Sequence, residues 1–174
     1  VCKALEEEGF ALVPLSRSPV GAMRQWSLDA SVEDMARSLA GVDTVIHLAA
    51  YLPSNYEDLD QATLCYEANA LGTLTLLRAA KLAGVKHFIH TSTAALYTPS
   101  VHPVTEDSPT IPQRALSYLA SKLAAEVFVA GFAFSQAFAT TTLRLASVYG
   151  PGMPSAGLVP ACVHRLKTSG QFTV

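Results

Sequence analysis

The 174-residue sequence is poor in charge and in cysteine. Lys, Arg, Asp and Glu make up 15% of it, and the net charge is −2. That balance implies no general attraction to nucleic acid or to an anionic membrane. The three cysteines, Cys2, Cys65 and Cys162, share no metal-ligand spacing. An odd, patternless count reads as reduced thiols of an intracellular, cytoplasmic protein, not as a disulfide framework or a metal centre. No apolar run reaches membrane-spanning length, because the longest, Leu123 to Phe134, is broken by Glu126. No secretory leader pattern opens the sequence. Internal repeats and low-complexity tracts are missing too. No Gly-x-Ser-x-Gly element occurs, which leaves a serine hydrolase on an α/β sheet without support.

What is plentiful is apolar: half of the residues are hydrophobic, enough for a substantial core in one domain. The pattern alternates. A helix over Cys2 to Glu8 stops at Gly9, and Phe10 to Leu15 is a short apolar strand. The polar turn Ser16-Arg17-Ser18-Pro19 follows. Val32 to Ala40 is a helix ended by Gly41. Val45 to Leu48 is a near-continuous apolar run, suited to a strand buried on both faces. A helical tract from about Asp58 to Ala83 ends at Gly84, and Val85 to Thr91 is another strand. Ser92 to Pro112 is loop, Leu116 to Phe138 a long helix, and Thr140 to Ala146 a strand. Ser147 to Ala156 is a Gly/Pro loop, Val159 to Thr168 a last helix, and a strand begins after Gly170. Such alternation predicts an α/β domain with a parallel sheet. In these sheets ligands sit beyond the C-terminal strand ends. Ser16-Arg17, Ala49-Ala50, Ser92-Thr93 and Ser147 all fall there.

Within the long helix, Tyr118 and Lys122 are four residues apart, about one turn along one face. A phenol holds its proton to roughly pH 10. A fixed ammonium nearby favours the phenolate and brings that proton toward neutral pH. Such a pair suits acid–base work beside a hydride-transfer centre. His47, inside an apolar strand, reads as a satisfied core histidine, and Arg144 as a structural ion-pair partner.

Five segments together resemble the extended short-chain dehydrogenase/reductases, also called NAD-dependent epimerase/dehydratases. They are Gly41-Val-Asp-Thr-Val-Ile-His-Leu-Ala-Ala50, Asn69-Ala-Leu-Gly-Thr73, His90-Thr-Ser-Thr-Ala-Ala-Leu-Tyr97, Tyr118-Leu-Ala-Ser-Lys122 and Leu143-Arg-Leu-Ala-Ser-Val-Tyr-Gly-Pro151. The resemblance implies a Rossmann-type doubly wound parallel sheet. It implies Tyr118 as general acid/base and Lys122 as its partner, also bonding the nicotinamide ribose. Thr93 would be the third catalytic residue, with Ser92 the runner-up. Leu48, Ala49 and Ala50 would line the cofactor at a strand end. Asn69 would support the active-site backbone, and Asp29 would bond the adenine. NADP or NAD is the implied cofactor. NADP is preferred, because Ser16 and Arg17 stand where NAD-preferring members carry an acid. A homodimer through the long helix and the one near Asn69 is implied as well, with a small-molecule substrate.

The departures matter equally. Counting back about 20 residues from Ser16 to a glycine-rich phosphate loop passes Val1. The expectation is therefore one NAD(P)-binding domain over 1–174, incomplete at both ends. It lacks the first, central strand and the C-terminal substrate part. Such a fragment alone is not expected to be well folded or active. Ser147 stands where sugar-nucleotide enzymes of the family often have asparagine. Oxidoreductase, epimerase and dehydratase chemistry share the same Thr-Tyr-Lys set. A non-catalytic NAD(P)-binding sensor or scaffold is the alternative, though such proteins typically lose the Tyr or the Lys.

Overall fold

Alternating side chains on two neighbouring strands set the core of this protein. The computed structural model describes residues 1–19, 21, 23–110, 116–150, 153 and 158–169. Strands β3 (Thr44–His47) and β4 (His87–Thr93) pair in parallel, from Thr44 opposite His87 to His47 opposite His90. On β4, Phe88, His90 and Ser92 are buried, while the residues between them are half-buried. Strand β5 (Ala139–Leu145) lies on the other side of β4. Strands β1 (Leu15–Ser16) and β2 (Arg24–Gln25) form a separate parallel pair. The elements thus make an α/β protein of the Rossmann type, as expected.

Helices cover the buried sheet face. Helix α1 (Cys2–Glu7) has no buried residue. Helix α2 (Val32–Ser38) starts at Ser31, whose hydroxyl accepts the Asp34 N–H at 3.1 Å. It sends Met35 and Ala36 inward. The expected Asp58–Ala83 tract is one helical path with changing pitch. A 3₁₀ turn (Leu59–Gln61) leads into α3 (Ala62–Cys65), a π-helical stretch (Tyr66–Leu71) and α4 (Gly72–Ala83). Gly84, at φ 77°, ends it as a left-handed cap. Helix α5 (Ser117–Phe134) follows. Leu77 from α4, Val129 from α5, Phe88 from β4 and Phe138 meet in one cluster. Leu77 and Phe88 are fully buried, and each such side chain contributes about 1.5–3 kcal/mol of burial. Phe138 stacks on Phe88 at 5.9 Å and on Phe132 at 5.7 Å.

Four expectations need correction. Helix α5 ends at Phe134, not Phe138, because Gln136 takes a left-handed φ of 54° and Phe138 turns back into the core. The strand expected over Phe10 to Leu15 reduces to Leu15–Ser16: Phe10 is exposed, and the ladder bonds run from the Arg24 N–H to the Pro14 carbonyl at 2.9 Å and from the Trp26 N–H to the Ser16 carbonyl at 2.8 Å. The β3 run is not buried on both faces, since Ile46 and Leu48 are exposed while Val45 and His47 are buried. Finally, α5 is 18 residues long with mean hydropathy 1.3, enough by length and composition to cross a membrane. Its Glu126 does not interrupt it, because the carboxylate is paired and turned inward. The strand start after Gly170, and the ends of the expected loops at Pro112 and Ala156, lie outside the described residues.

The chain divides into two units, Val1–Arg144 and Leu145–Val174. In the second, the described helix α6 (Leu158–Ser169) has its Thr168 hydroxyl donating to the His164 carbonyl at 3.0 Å.

Candidate active site

The site is assembled around one buried amide. Asn69 sits in the π-helical stretch and is 1% exposed. Its Oδ1 accepts the Tyr51 N–H at 2.6 Å. Its Nδ2 donates to the Tyr51 carbonyl and to Ser121 Oγ, both at 3.0 Å. Ser121 Oγ in turn donates to the Tyr118 carbonyl at 2.8 Å. One side chain therefore ties the loop after β3 to the first turn of α5. The bonds to Tyr51 fall on its backbone N–H and carbonyl.

Lys122, one turn after Tyr118, is 3% exposed. Its Nζ donates to the Thr91 carbonyl of β4 at 2.5 Å. Burial lowers its pKa to about 8, with Glu126 acting in the opposite direction. The phenol of Tyr118 goes the other way: burial first, then Tyr56 and Cys65, raise its pKa. The depression expected from Lys122 is thus absent. Sharing a helix face did not bring the ammonium to the phenol, because the lysine reaches across to the strand instead. Ser92 Oγ is buried without a hydrogen-bond partner among the described residues. Thr93 Oγ1 accepts the Ala95 N–H at 3.2 Å and caps the turn after β4.

Two histidines lie beneath this layer. His47 Nε2 meets Thr73 Oγ1 at 3.0 Å, and its ring stands 5.7 Å from that of His90. Burial, aided by the neighbouring His90 and Lys122, lowers His47 to about 3. Burial and Lys122 lower His90 to about 4, against Glu126. Both stay neutral at ordinary pH, so His47 is the satisfied core histidine expected. Arg144 likewise makes its expected ion pair. Its guanidinium grips Glu126 at 2.9–3.2 Å, lies 5.0 Å over the Tyr97 ring, and donates to the Glu106 carbonyl at 3.0 Å.

A second group of residues surrounds a cavity of about 310 Å³ at the ends of β1 and β3. Ser16, Arg17, Leu48, Ala49 and Ala50, the residues the resemblance assigns to the cofactor, are among those that line it. Ser16 Oγ is engaged in its own turn, donating to the Ser18 carbonyl at 3.1 Å. Asp29 is not part of the lining. Trp26 and Leu28 are, and the sequence reading missed them. The trace that could have found them is Gly72. A Cβ there would stand 3.1 Å from Leu28 Cδ2 and 3.8 Å from Trp26 Cη2, so the bare glycine makes room for that wall. The methyl side chains of Ala49 and Ala50 keep the strand end open to a bound group. Among the described residues that line the cavity there is no acid. Ser147 belongs to the second unit.

Comparison with known proteins gives these features a family. The sequence model of the NAD dependent epimerase/dehydratase family matches residues 1–174, and the chain belongs to that family. It is 33% identical over 127 residues to a UDP-glucose 4-epimerase of Corynebacterium glutamicum, covering 71% of this chain and 38% of that protein. It is 32% identical over 140 residues to a Bos taurus sterol-4-alpha-carboxylate 3-dehydrogenase, decarboxylating, covering 79% and 38%. Among solved structures it is similar to MoeE5 in complex with UDP-glucose and NAD, with TM-score 0.76, 27% identity, and 98% and 57% of the two chains covered. The chain thus spans well under half the length of these two curated relatives.

A buried ammonium burdens the fold, and that burden depends on pH. In the unfolded chain Lys122 keeps its proton to about 10.5, but in the fold only to about 8. Between those values the unfolded state binds more protons, so stability rises with pH. Lys122→Met removes the charge and keeps the length. Thermal melts near neutral pH should show the variant at least as stable as the parent. The parent should gain on the variant as pH climbs from about 8 to 10.5. A variant much less stable at neutral pH would contradict this reading.

Proposed function

We propose that the complete protein catalyses NAD(P)-dependent hydride transfer at a carbon bearing a hydroxyl or carbonyl. The observation that carries the reading is the arrangement on α5. Tyr118 is anchored through Ser121 and Asn69, and Lys122 is fastened to the end of β4 beside Ser92 and Thr93. The cofactor's adenosine half fits the cavity at Ser16, Arg17, Ala49 and Ala50, with Lys122 reserved for the nicotinamide ribose. The nicotinamide, when bound, supplies the hydride chemistry. Tyr118 moves the proton of the substrate oxygen. Its raised pKa holds that proton in the resting protein, so Tyr118 stands ready as the acid. Thr93, or Ser92 with its unpartnered hydroxyl, donates to the same oxygen. Net epimerisation, dehydration and reduction all use this set. The sugar-nucleotide and sterol relatives leave the substrate class open within small molecules. Retention of both Tyr118 and Lys122 favours the enzyme over a non-catalytic sensor on the same fold.

For association, we infer a homodimer in the complete protein. Helix α5 exposes Val127 (63%) and Phe134 (93%), and α4 exposes Leu82 (61%). A groove of about 810 Å³ runs between these helices, away from the catalytic residues. Apolar helix surface of this kind is covered by a second subunit in many oligomers.

In the complete protein, Tyr118→Phe should cut turnover by about 10²–10⁴-fold, the usual worth of general acid–base catalysis, with cofactor affinity nearly unchanged. Wild-type kcat in this variant would refute the role of Tyr118. Cofactor choice gives an independent check. Arg17 offers a charged fork to the extra phosphate of NADP, and a hydrogen bond to a charged group is worth about 1.5–3 kcal/mol. Calorimetric titration should then favour NADP(H) over NAD(H) by about 10- to 150-fold, and Arg17→Ala should erase the difference. Equal affinities in the parent would overturn it. Light scattering at micromolar concentration should give twice the monomer mass. Val127→Glu should restore the monomer, and a monomeric parent would reject the dimer.

A further inference from the structure

Tyr118 does not face its surroundings alone. The ring of Tyr56 stands against it edge-on, with centroids 5.6 Å apart and planes at 88°. Tyr56 lies in the loop between β3 and the helical tract and is 44% exposed. A half-exposed tyrosine on a loop is ordinarily free to swing. This loop is fastened along its length. At its start, Tyr51 is held through both its N–H and its carbonyl by Asn69. At its end, Gln61 gathers the strand of chain around itself. Its Oε1 accepts the Tyr51 hydroxyl and the Ser54 N–H, both at 3.0 Å, and its Nε2 donates to Asp58 Oδ2 at 2.6 Å. Asn55 Oδ1 accepts the Glu57 N–H at 3.0 Å and tightens the turn that carries Tyr56. The loop therefore delivers one aromatic ring to one place, the flank of Tyr118.

We propose that Tyr56 is a positioning residue for Tyr118: its ring, held by the Gln61-stapled loop, fixes the tilt of the Tyr118 phenol and screens it from water. The inference rests on Tyr118 being the acid/base. Edge-to-face geometry sets one positive ring edge against one negative face and so favours a single tilt. Screening removes water that would stabilise a phenolate. Among the described residues, the titratable groups near Tyr118 are Tyr56 from the loop, Cys65 from α3, and Lys122 along α5 itself. Lys122 directs its ammonium to the Thr91 carbonyl, and Cys65 is a buried neutral thiol whose own pKa is raised by burial. Of these, Tyr56 alone combines exposure with ring contact, so it is the partner that a substrate could also move.

The test follows the Tyr118 phenol by NMR in the complete protein carrying isotope-labelled tyrosine, over the alkaline range, with Tyr118→Phe assigning its signal. Tyr56→Ala should move the Tyr118 titration to lower pH, toward the ordinary phenol value. Tyr56→Phe, which keeps the ring, should retain most of the displacement. Gln61→Ala, which loosens the loop without touching either ring, should move it in the same direction as Tyr56→Ala. The alkaline limb of kcat should travel with the titration. An unmoved titration in Tyr56→Ala, or equal shifts in the Phe and Ala variants, would overturn the proposal. The titration is a property of the resting protein. Turnover surviving in Tyr118→Phe would thus sink the catalytic reading while leaving this measurement intact.

Discussion

The side-chain amide of Asn69 is the interaction on which the rest of the site depends. It is buried, and each of its polar atoms is bonded. A buried amide is stabilising only when satisfied, and costly when a partner is lost. Its partners come from far apart in sequence: Tyr51 after β3 and Ser121 on α5. The Asn69 carbonyl also accepts the Thr73 hydroxyl at 2.6 Å, and Thr73 meets His47. A chain of polar contacts thus runs from β3 through the helical tract to α5. If it fails at Asn69, both the loop and the first turn of α5 lose their reference point.

The interior below that hub carries more charge than a stable core needs. Lys122 and Glu126 are both buried, one turn apart on α5. They do not pair with each other in the hydrogen-bonding sense. Glu126 is taken by Arg144, and Lys122 by a backbone carbonyl. Arg144 satisfies Glu126 in a two-pronged geometry and also reaches Tyr97 and Glu106. The ammonium is left with a neutral acceptor. That arrangement costs stability but keeps a positive charge available, a conflict between local and global preference typical of functional sites.

Much of the architecture was legible in the sequence because it follows from periodicity. The alternation of strands and helices and the Gly84 stop are written in residue order. The Arg144 ion pair and the core role of His47 were legible for the same reason: a polar residue between apolar neighbours on a strand must find a partner inside. What was not legible depends on distance through space. The end of α5 was read too late because Ala137 and Phe138 continue the apolar run, although they serve the core from outside the helix. Spacing placed Tyr118 and Lys122 on one face, but nothing in the spacing tells that Lys122 reaches Thr91. Trp26, Leu28 and Tyr56 sit in connecting segments whose paths no period governs. Asp29 was assigned in the same region by likeness alone, and its neighbour Leu28 lines the cavity.

The widened turns at Tyr66–Leu71 give chain length itself a meaning. A π-helical stretch holds one residue more than the α-helix would use for the same path. Deleting a single residue there would restore an ordinary helix, and the segment would gain regular backbone bonding. The turns on either side would keep their direction, because the widened turns already absorb the extra residue, and what would change is where the side chains between Tyr66 and Leu71 point. Asn69 could then no longer answer both Tyr51 and Ser121. The shorter sequence would make the better helix and lose the junction at Asn69, so helical regularity and the bonds to Tyr51 and Ser121 pull this stretch of chain in opposite directions.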